Sequence, residues 1–187
     1  MQNPRLASRY AKSILDLAIE RGQLEQVYRD MQYLDQLVKG SHDFLSLLRS
    51  PVIAPDKKIK VIEMITSGNI SDMTSAFIRL LVSKNRENTL PEMISSYIQQ
   101  YKQKKDIHVV TLTTAAPVSE DIRKKIIAQV EKTSNMKNIE LQSVVKPEII
   151  GGFILQTGDK LVDASIAYDL KEISRQFENN DFIYKVK

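Results

Sequence analysis

The sequence predicts a mainly α protein with an α+β second domain: an N-terminal six-helix bundle followed by a small mixed strand/helix domain. Three observations predict it. Before Lys105, apolar residues recur at the helical period in runs punctuated by Gly, Pro and Asn. At Ile107-His108-Val109-Val110-Thr111-Leu112-Thr113-Thr114 the chain turns β-branched. The charge balance changes at the same place. Residues 1–105 carry 16 Lys+Arg against 11 Asp+Glu and residues 106–187 carry 11 against 12, so the net +4 is +5 from the first part and −1 from the second. Domains 1–105 and 106–187 follow, with Lys102-Gln103-Lys104-Lys105 suited to a helix C-terminus, where cations meet the negative end of the dipole.

In the first part a helix runs from Arg5 to Arg21. A second is marked by Leu24, Val27, Tyr28, Met31, Leu34, Leu37 and Val38 and is expected to close at Gly40. A short third carries Phe44, Leu45, Leu47 and Leu48 and must end before Pro51, because the residue preceding proline avoids helical backbone. Pro55 opens a fourth through Ile59, Ile62 and Ile65, stopped by Gly68-Asn69. The fifth spans about Asp72 to Lys84. The sixth shows a single stripe of Leu90, Met93, Ile94, Tyr97, Ile98 and Tyr101, with Pro91 in its first turn. Short connections argue for antiparallel packing.

In the second part strand 107–114 leads through Pro117 to a helix starting at Ser119-Glu120-Asp121, a cap with an acidic first turn. Ile122, Ile126, Ile127 and Val130 give that helix one expected buried face. A strand through Ile139, Leu141 and Val145 follows. Then Phe153 to Thr157 and Lys160 to Ala164 flank Gly158-Asp159, a hairpin over 152–164 in which glycine at the first central position suits a type II′ turn. Ser165 caps the last helix, 165–178, whose Ile166, Leu170, Ile173 and Phe177 fall at i, i+4, i+7 and i+11.

The first and fifth helices differ from the rest. At about 100° per residue, Leu6, Ala7, Tyr10, Ala11, Ile14, Leu15, Leu17, Ala18 and Ile19 sweep roughly 220° of the first. Met73, Ala76, Phe77, Ile78, Leu80, Leu81 and Val82 spread over roughly 240° of the fifth. Two readings are open. Either both helices are central and buried all round, which the pattern alone favours, or each turns a second face to a groove for an incoming amphipathic helix. Small Ala7, Ala11 and Ala76 would then let a partner backbone come close.

Composition excludes much chemistry. Hydrophobic residues at 42% and charged residues at 27% describe an ordinary globular chain. No apolar run approaches the ~18 residues of a membrane span, and no signal peptide is visible. Without cysteine there is no disulfide, thiolate nucleophile or zinc–thiolate site. His42 and His108 fall in different predicted domains, so a two-histidine site is not expected. Gly158-Asp159-Lys160 lacks the GxxxxGK[ST] pattern of a phosphate loop. Asp159 and Asp163 suit turn and capping roles. Lys57-Lys58 and Lys104-Lys105 are too short for a nucleic-acid footprint. No catalytic residue, cofactor or metal is expected. A basic helical nucleic-acid adaptor is the alternative that pI 9.1 and the +5 first domain suggest.

Gly151-Gly152-Phe153 followed by Gly158-Asp159-Lys160-Leu161-Val162-Asp163-Ala164-Ser165-Ile166 and an amphipathic helix resembles the delta subunit of bacterial F-type ATP synthases, the family of the oligomycin-sensitivity-conferring protein. Arg9-Tyr10-Ala11-Lys12-Ser13-Ile14 resembles the family's first helix. Ser50-Pro51-Val52-Ile53 with Lys57-Lys58-Ile59 resembles its third-to-fourth helix junction. The likeness covers roughly residues 4–178, and Phe182 to Lys187 depart from the family's pattern as a tail or an added docking strand. The resemblance implies a non-catalytic stator subunit of the peripheral stalk, involved in hydrogen ion transport and ATP synthesis, lying peripherally at the cytoplasmic face of a bacterial membrane. It implies that Ala7, Tyr10, Ala11, Ile14, Ala76, Phe77 and Leu80 bind the N-terminal helix of an alpha subunit, and that the second domain meets the C-terminal ends of the b subunits.

Overall fold

The computed structural model describes residues 4–133, 138–158 and 160–178. The chain divides into two compact units, Met1–Lys105 and Asp106–Lys187. Among the described residues the protein is mainly helical with one small mixed sheet.

The first unit carries α1 (Pro4–Glu20), α2 (Leu24–Gly40), α3 (His42–Arg49), α4 (Pro55–Thr66), α5 (Asp72–Ser83) and α6 (Leu90–Lys104), with a 3-10 turn at Glu87–Thr89. α1 packs on α6 and α2, α2 on α6, α3 and α5, and α4 on α5. Small side chains make the α1–α6 approach close: Ala7, Ala11 and Ala18 are buried, as are Leu90, Met93, Ile94 and Tyr97 of α6.

The helix boundaries follow local chemistry. Gly40 was expected to close α2, yet it is the last helical residue. The cap is Ser41 in extended conformation, whose N–H donates to the Leu37 carbonyl. Ser41 is also the N-cap of α3, its Oγ accepting from the Phe44 N–H at 3.2 Å, so one hydroxyl-bearing residue serves both ends of a tight corner. Ser50, extended as a pre-proline residue must be, ends α3. The buried residues of α4 are Lys58, Ile62 and Thr66. Ile59 is half-buried and Ile65 is 37% exposed, so the expected Ile59–Ile62–Ile65 stripe is only partly inside. The helix is rotated to bury the Lys58 stem and head.

The second unit contains β1 (Ile107–Thr114), α7 (Glu120–Thr133), β2 (Asn138–Val145), a 3-10 turn at Pro147–Ile149, β3 (Gly152–Thr157), β4 (Lys160–Ser165) and α8 (Ile166–Glu178). Sheet order is β2-β1-β3-β4: β1 is parallel to β2 across the α7 crossover, antiparallel to β3, and β3 is antiparallel to β4. Val110, Leu112 and Thr114 on one face of the central β1 are its buried residues. The expected buried face of α7 is not achieved. Ile126, Ile127 and Val130 are half-buried and Ile122 is 49% exposed, because α7 packs against β2, an edge strand.

Thr157 pairs with Lys160, leaving Gly158-Asp159 as the hairpin turn, with Gly158 at φ +51. Asp159, and with it the turn type, lies outside the described residues, as does the tail from Asn179. Ser165 ends β4 rather than beginning the helix, and its Oγ accepts from the Tyr168 N–H at 3.2 Å. Asp163 contributes a capping bond, its Oδ1 accepting from the Ser165 N–H at 3.0 Å. Close packing requires glycine at Gly152, while at Gly151 a side chain would meet only the movable end of Ile166. A Cβ on Gly152, at φ +74, would lie 2.1 Å from the Ala164 carbonyl oxygen, and one on Gly151 would lie 2.7 Å from Ile166 Cδ1.

Candidate partner-binding groove

The helical period places Tyr10, Ser13, Ile14 and Leu17 along one side of α1, at i, i+3, i+4 and i+7, and Arg21, just past the last helical residue, continues the row at i+11. Met73, Ala76, Phe77 and Leu80 hold the same relationship on α5. The structure brings these two rows together as the walls of an open groove of about 530 Å³. Ile14 is almost fully buried at its base, while Leu17 is 38% and Leu80 48% exposed at its lips. Ser13 turns its hydroxyl into its own helix, donating to the Arg9 carbonyl at 3.0 Å, so it adds little polarity to the wall. Arg21 at one end is the charged member of this lining, and it has no ion pair among the described residues.

Five of the seven residues singled out in the sequence, Tyr10, Ile14, Ala76, Phe77 and Leu80, line this groove. Ala7 and Ala11 do not. Each is 1% exposed, in the face that α1 turns to α6, and Ala7 borders a different hollow with Pro4, Pro91, Glu92, Ser95 and Ser96. Their small size suits the close helix packing inside the unit. Leu17, Met73, Ser13 and Arg21 also line the groove and are not among the seven. Leu17 and Met73 had been recognised as apolar, and their i+3 and i−3 spacing from Ile14 and Ala76 was the signal that could have placed them.

The perturbed ionisable groups lie elsewhere, where α2 meets α6. Glu25 accepts from the Tyr101 hydroxyl at 2.7 Å and pairs with Lys105 at 2.7 Å. The Lys105 hydrogen bond, and after it that of Tyr101, holds the Glu25 carboxyl below its ordinary value. Burial, seconded by the bond to Glu25, pushes Tyr101 up to about 12. Burial drives the Tyr97 hydroxyl up as well. Tyr28 stacks on Tyr101 with ring centroids 3.7 Å apart. This cluster ties two helices together, and none of its residues is in the groove lining.

Among the described residues no group of three or more His, Cys, Asp or Glu is arranged to hold a metal ion, and no helix is long and apolar enough to cross a membrane. The two histidines have local partners: His42 Nδ1 lies 3.4 Å from the Ser46 hydroxyl, and His108 Nε2 lies 3.1 Å from Asp106. In the second unit the α8 stripe is open to solvent, with Ile166 46%, Leu170 51%, Ile173 49% and Phe177 73% exposed. Both units therefore present apolar helical surfaces suited to recognition of other helices.

Comparison with known proteins agrees with that chemistry. The chain is 33% identical over 177 residues to the ATP synthase subunit delta of Cytophaga hutchinsonii, covering 95% of this chain and 96% of that one. It is 34% identical over 174 residues to the ATP synthase subunit delta of Phocaeicola vulgatus, covering 92% and 93%. Its fold matches a chain in the cryo-EM structure of the Toxoplasma gondii mitochondrial ATP synthase hexamer with a TM-score of 0.70 at 24% identity, over 92% of this chain and 97% of that one. The profile of the ATP synthase delta (OSCP) subunit matches residues 6–177. The chain belongs to the ATP synthase delta (OSCP) subunit family.

Proposed function

We infer that this protein is a non-catalytic stator subunit of an F-type ATP synthase, linking the catalytic head to the peripheral stalk. Family membership over residues 6–177 supports that role. The observation that carries its mechanism is the groove between α1 and α5. From Tyr10 to Arg21 the α1 wall runs about 16 Å, at 1.5 Å per residue, which matches about three turns of a docked helix. An amphipathic helix laid there buries its apolar face against Tyr10, Ile14, Leu17, Met73, Phe77 and Leu80. Arg21 then faces an acidic side chain or the negative C-terminal end of that helix. The occupant we assign is the N-terminal helix of an alpha subunit.

The first unit acts on this reading as a helical bundle that grips the head, and the unit beginning at Asp106 as a separate domain that grips the stalk. The exposed α8 stripe takes the C-terminal ends of the b subunits. The subunit is peripheral at the cytoplasmic face of a bacterial membrane, held there through these partners. Such a connector resists the torque that the turning rotor exerts on the head, so that proton flow drives ATP synthesis rather than idle rotation. The work required is tight binding at both ends and no chemistry between them.

Titration calorimetry of the full chain against a synthetic alpha-subunit N-terminal peptide tests this reading. The expected result is a one-to-one complex with a negative heat-capacity change. The nucleic-acid adaptor finds no support in the family or the fold, and a parallel titration with nucleic acid, where binding would fall steeply with salt, separates it.

A further inference from the structure

Asp30 belongs to α2, yet its carboxylate serves α5. Its side chain is buried, the residue being 5% exposed, and its Oδ2 accepts from the Ser71 N–H at 2.9 Å, the Ser71 hydroxyl at 2.5 Å and the Thr74 hydroxyl at 2.7 Å. Ser71 is the N-cap of α5, and the same hydroxyl that donates to Asp30 accepts the Thr74 N–H. A buried carboxylate is tolerated only where donors replace its lost water, and here the described donors come from one helix start. The positive end of the α5 dipole adds to the attraction.

The consequence concerns the groove. Met73, Ala76 and Phe77 sit in the first turn and a half of α5, on either side of Thr74. The other wall, α1, also packs on α2. α2 is therefore the common base of both walls, and Asp30 is its charged attachment to the N-terminal end of one of them. We propose that Asp30 is the positioning residue of the groove: it fixes the N-terminal turn of α5 against α2 and thereby sets the spacing in which a helix docks. This rests on the α1/α5 groove being the docking site inferred above. Asp30 touches no docked helix and acts through Ser71 and Thr74.

The experiment uses the full chain and the alpha-subunit N-terminal peptide as probe, with affinity measured well below each variant's melting temperature. Asp30→Ala is expected to weaken the peptide by about tenfold, and Thr74→Val by a smaller factor, from loss of buried hydrogen bonds. The double variant is expected to bind no more weakly than Asp30→Ala alone, since both remove one linkage. Asp30→Asn, which keeps an acceptor, restores part of the affinity. Leu48→Val, a core change on α3 that is neither in the groove lining nor among the partners of Asp30, keeps wild-type affinity. Amide exchange is expected to rise at residues 74–78 in Asp30→Ala while α1 and α6 stay protected. Should Asp30→Ala fail to fold, Asp30→Asn and Thr74→Val carry the same comparison. Wild-type affinity and unchanged exchange in α5 for the folded variants overturn the proposal. Loss of affinity in Phe77→Glu alongside unchanged Asp30 variants overturns the positioning role alone. Indifference of the peptide to Phe77→Glu overturns the groove itself, and the exchange measurement then decides the Asp30 role by itself.

Discussion

The ammonium of Lys58 and the carboxylate of Glu87 meet at 2.5 Å inside the first unit, with side chains 3% and 11% exposed. Lys58 also donates to the Leu48 carbonyl at 3.4 Å, so one buried cation joins the end of α3, the start of α4 and the turn that precedes α6. Removing one partner leaves the other charged and dry. Lys58→Ala is expected to cost about 3–5 kcal/mol, whereas Lys58→Met with Glu87→Leu costs much less because no charge is stranded. Urea denaturation of both variants checks this, and equal losses would contradict it.

Ala11 and Phe77 separate packing from binding. Ala11→Asp places a carboxylate in the α1–α6 contact, where Ala11 is 1% exposed, and is expected to cost about 3–5 kcal/mol of stability. Phe77→Glu on the groove wall is expected to leave the melting temperature nearly unchanged and to weaken helix binding by about 2 kcal/mol. Thermal melts beside calorimetry distinguish the two, and a folded Ala11→Asp that binds poorly would show that Ala11 faces the partner after all.

Much of this was legible in sequence and some was not. The rows Tyr10–Ile14–Leu17 and Met73–Ala76–Phe77–Leu80 follow from the helical period. The period does not say which side of α1 meets α6, and alanines fit either a tight internal contact or an open wall. Ala7 and Ala11 enter the groove set through the family resemblance, and neither is in its lining here. Burial of Lys58 was not legible because its partner lies 29 residues away, and adjacent lysines ordinarily mark a solvated face. The α8 stripe was visible as a period, but its exposure was not, because a period marks an apolar face without saying whether another element covers it.

Ile150 lies at φ +67 and ψ −43, with the residue 61% exposed, in a tight turn closed by the Gly151 N–H donating to the Ile149 carbonyl at 2.7 Å, a backbone conformation that strains a β-branched residue. Ile150→Gly is expected to raise stability by about 1 kcal/mol. Gly152→Ala, whose Cβ meets the Ala164 carbonyl, is expected to lower it sharply. Paired urea titrations test both signs, and a destabilised Ile150→Gly would show that the side chain is held by contacts after all.

The Glu25–Tyr101 pair predicts two pH dependences of opposite sense. A carboxyl held below its ordinary 4.5 adds stability that is present above that value and is lost as pH falls through the lowered one. A phenol raised from 10.0 to about 12 adds stability that is full below pH 10.0 and is lost as pH rises toward 12. Glu25→Gln should therefore flatten the acid side of the stability profile, and Tyr101→Phe should make the alkaline fall shallower. Unchanged slopes in urea midpoints measured across pH would contradict the pairing.

The most direct test of the stator reading is titration calorimetry of the full chain with the alpha-subunit N-terminal peptide, wild type beside Leu80→Glu, at low and high salt. The expected result is a one-to-one complex that persists in salt and is lost in Leu80→Glu while the variant stays folded. Equal binding by the two proteins, or none by either, would contradict it.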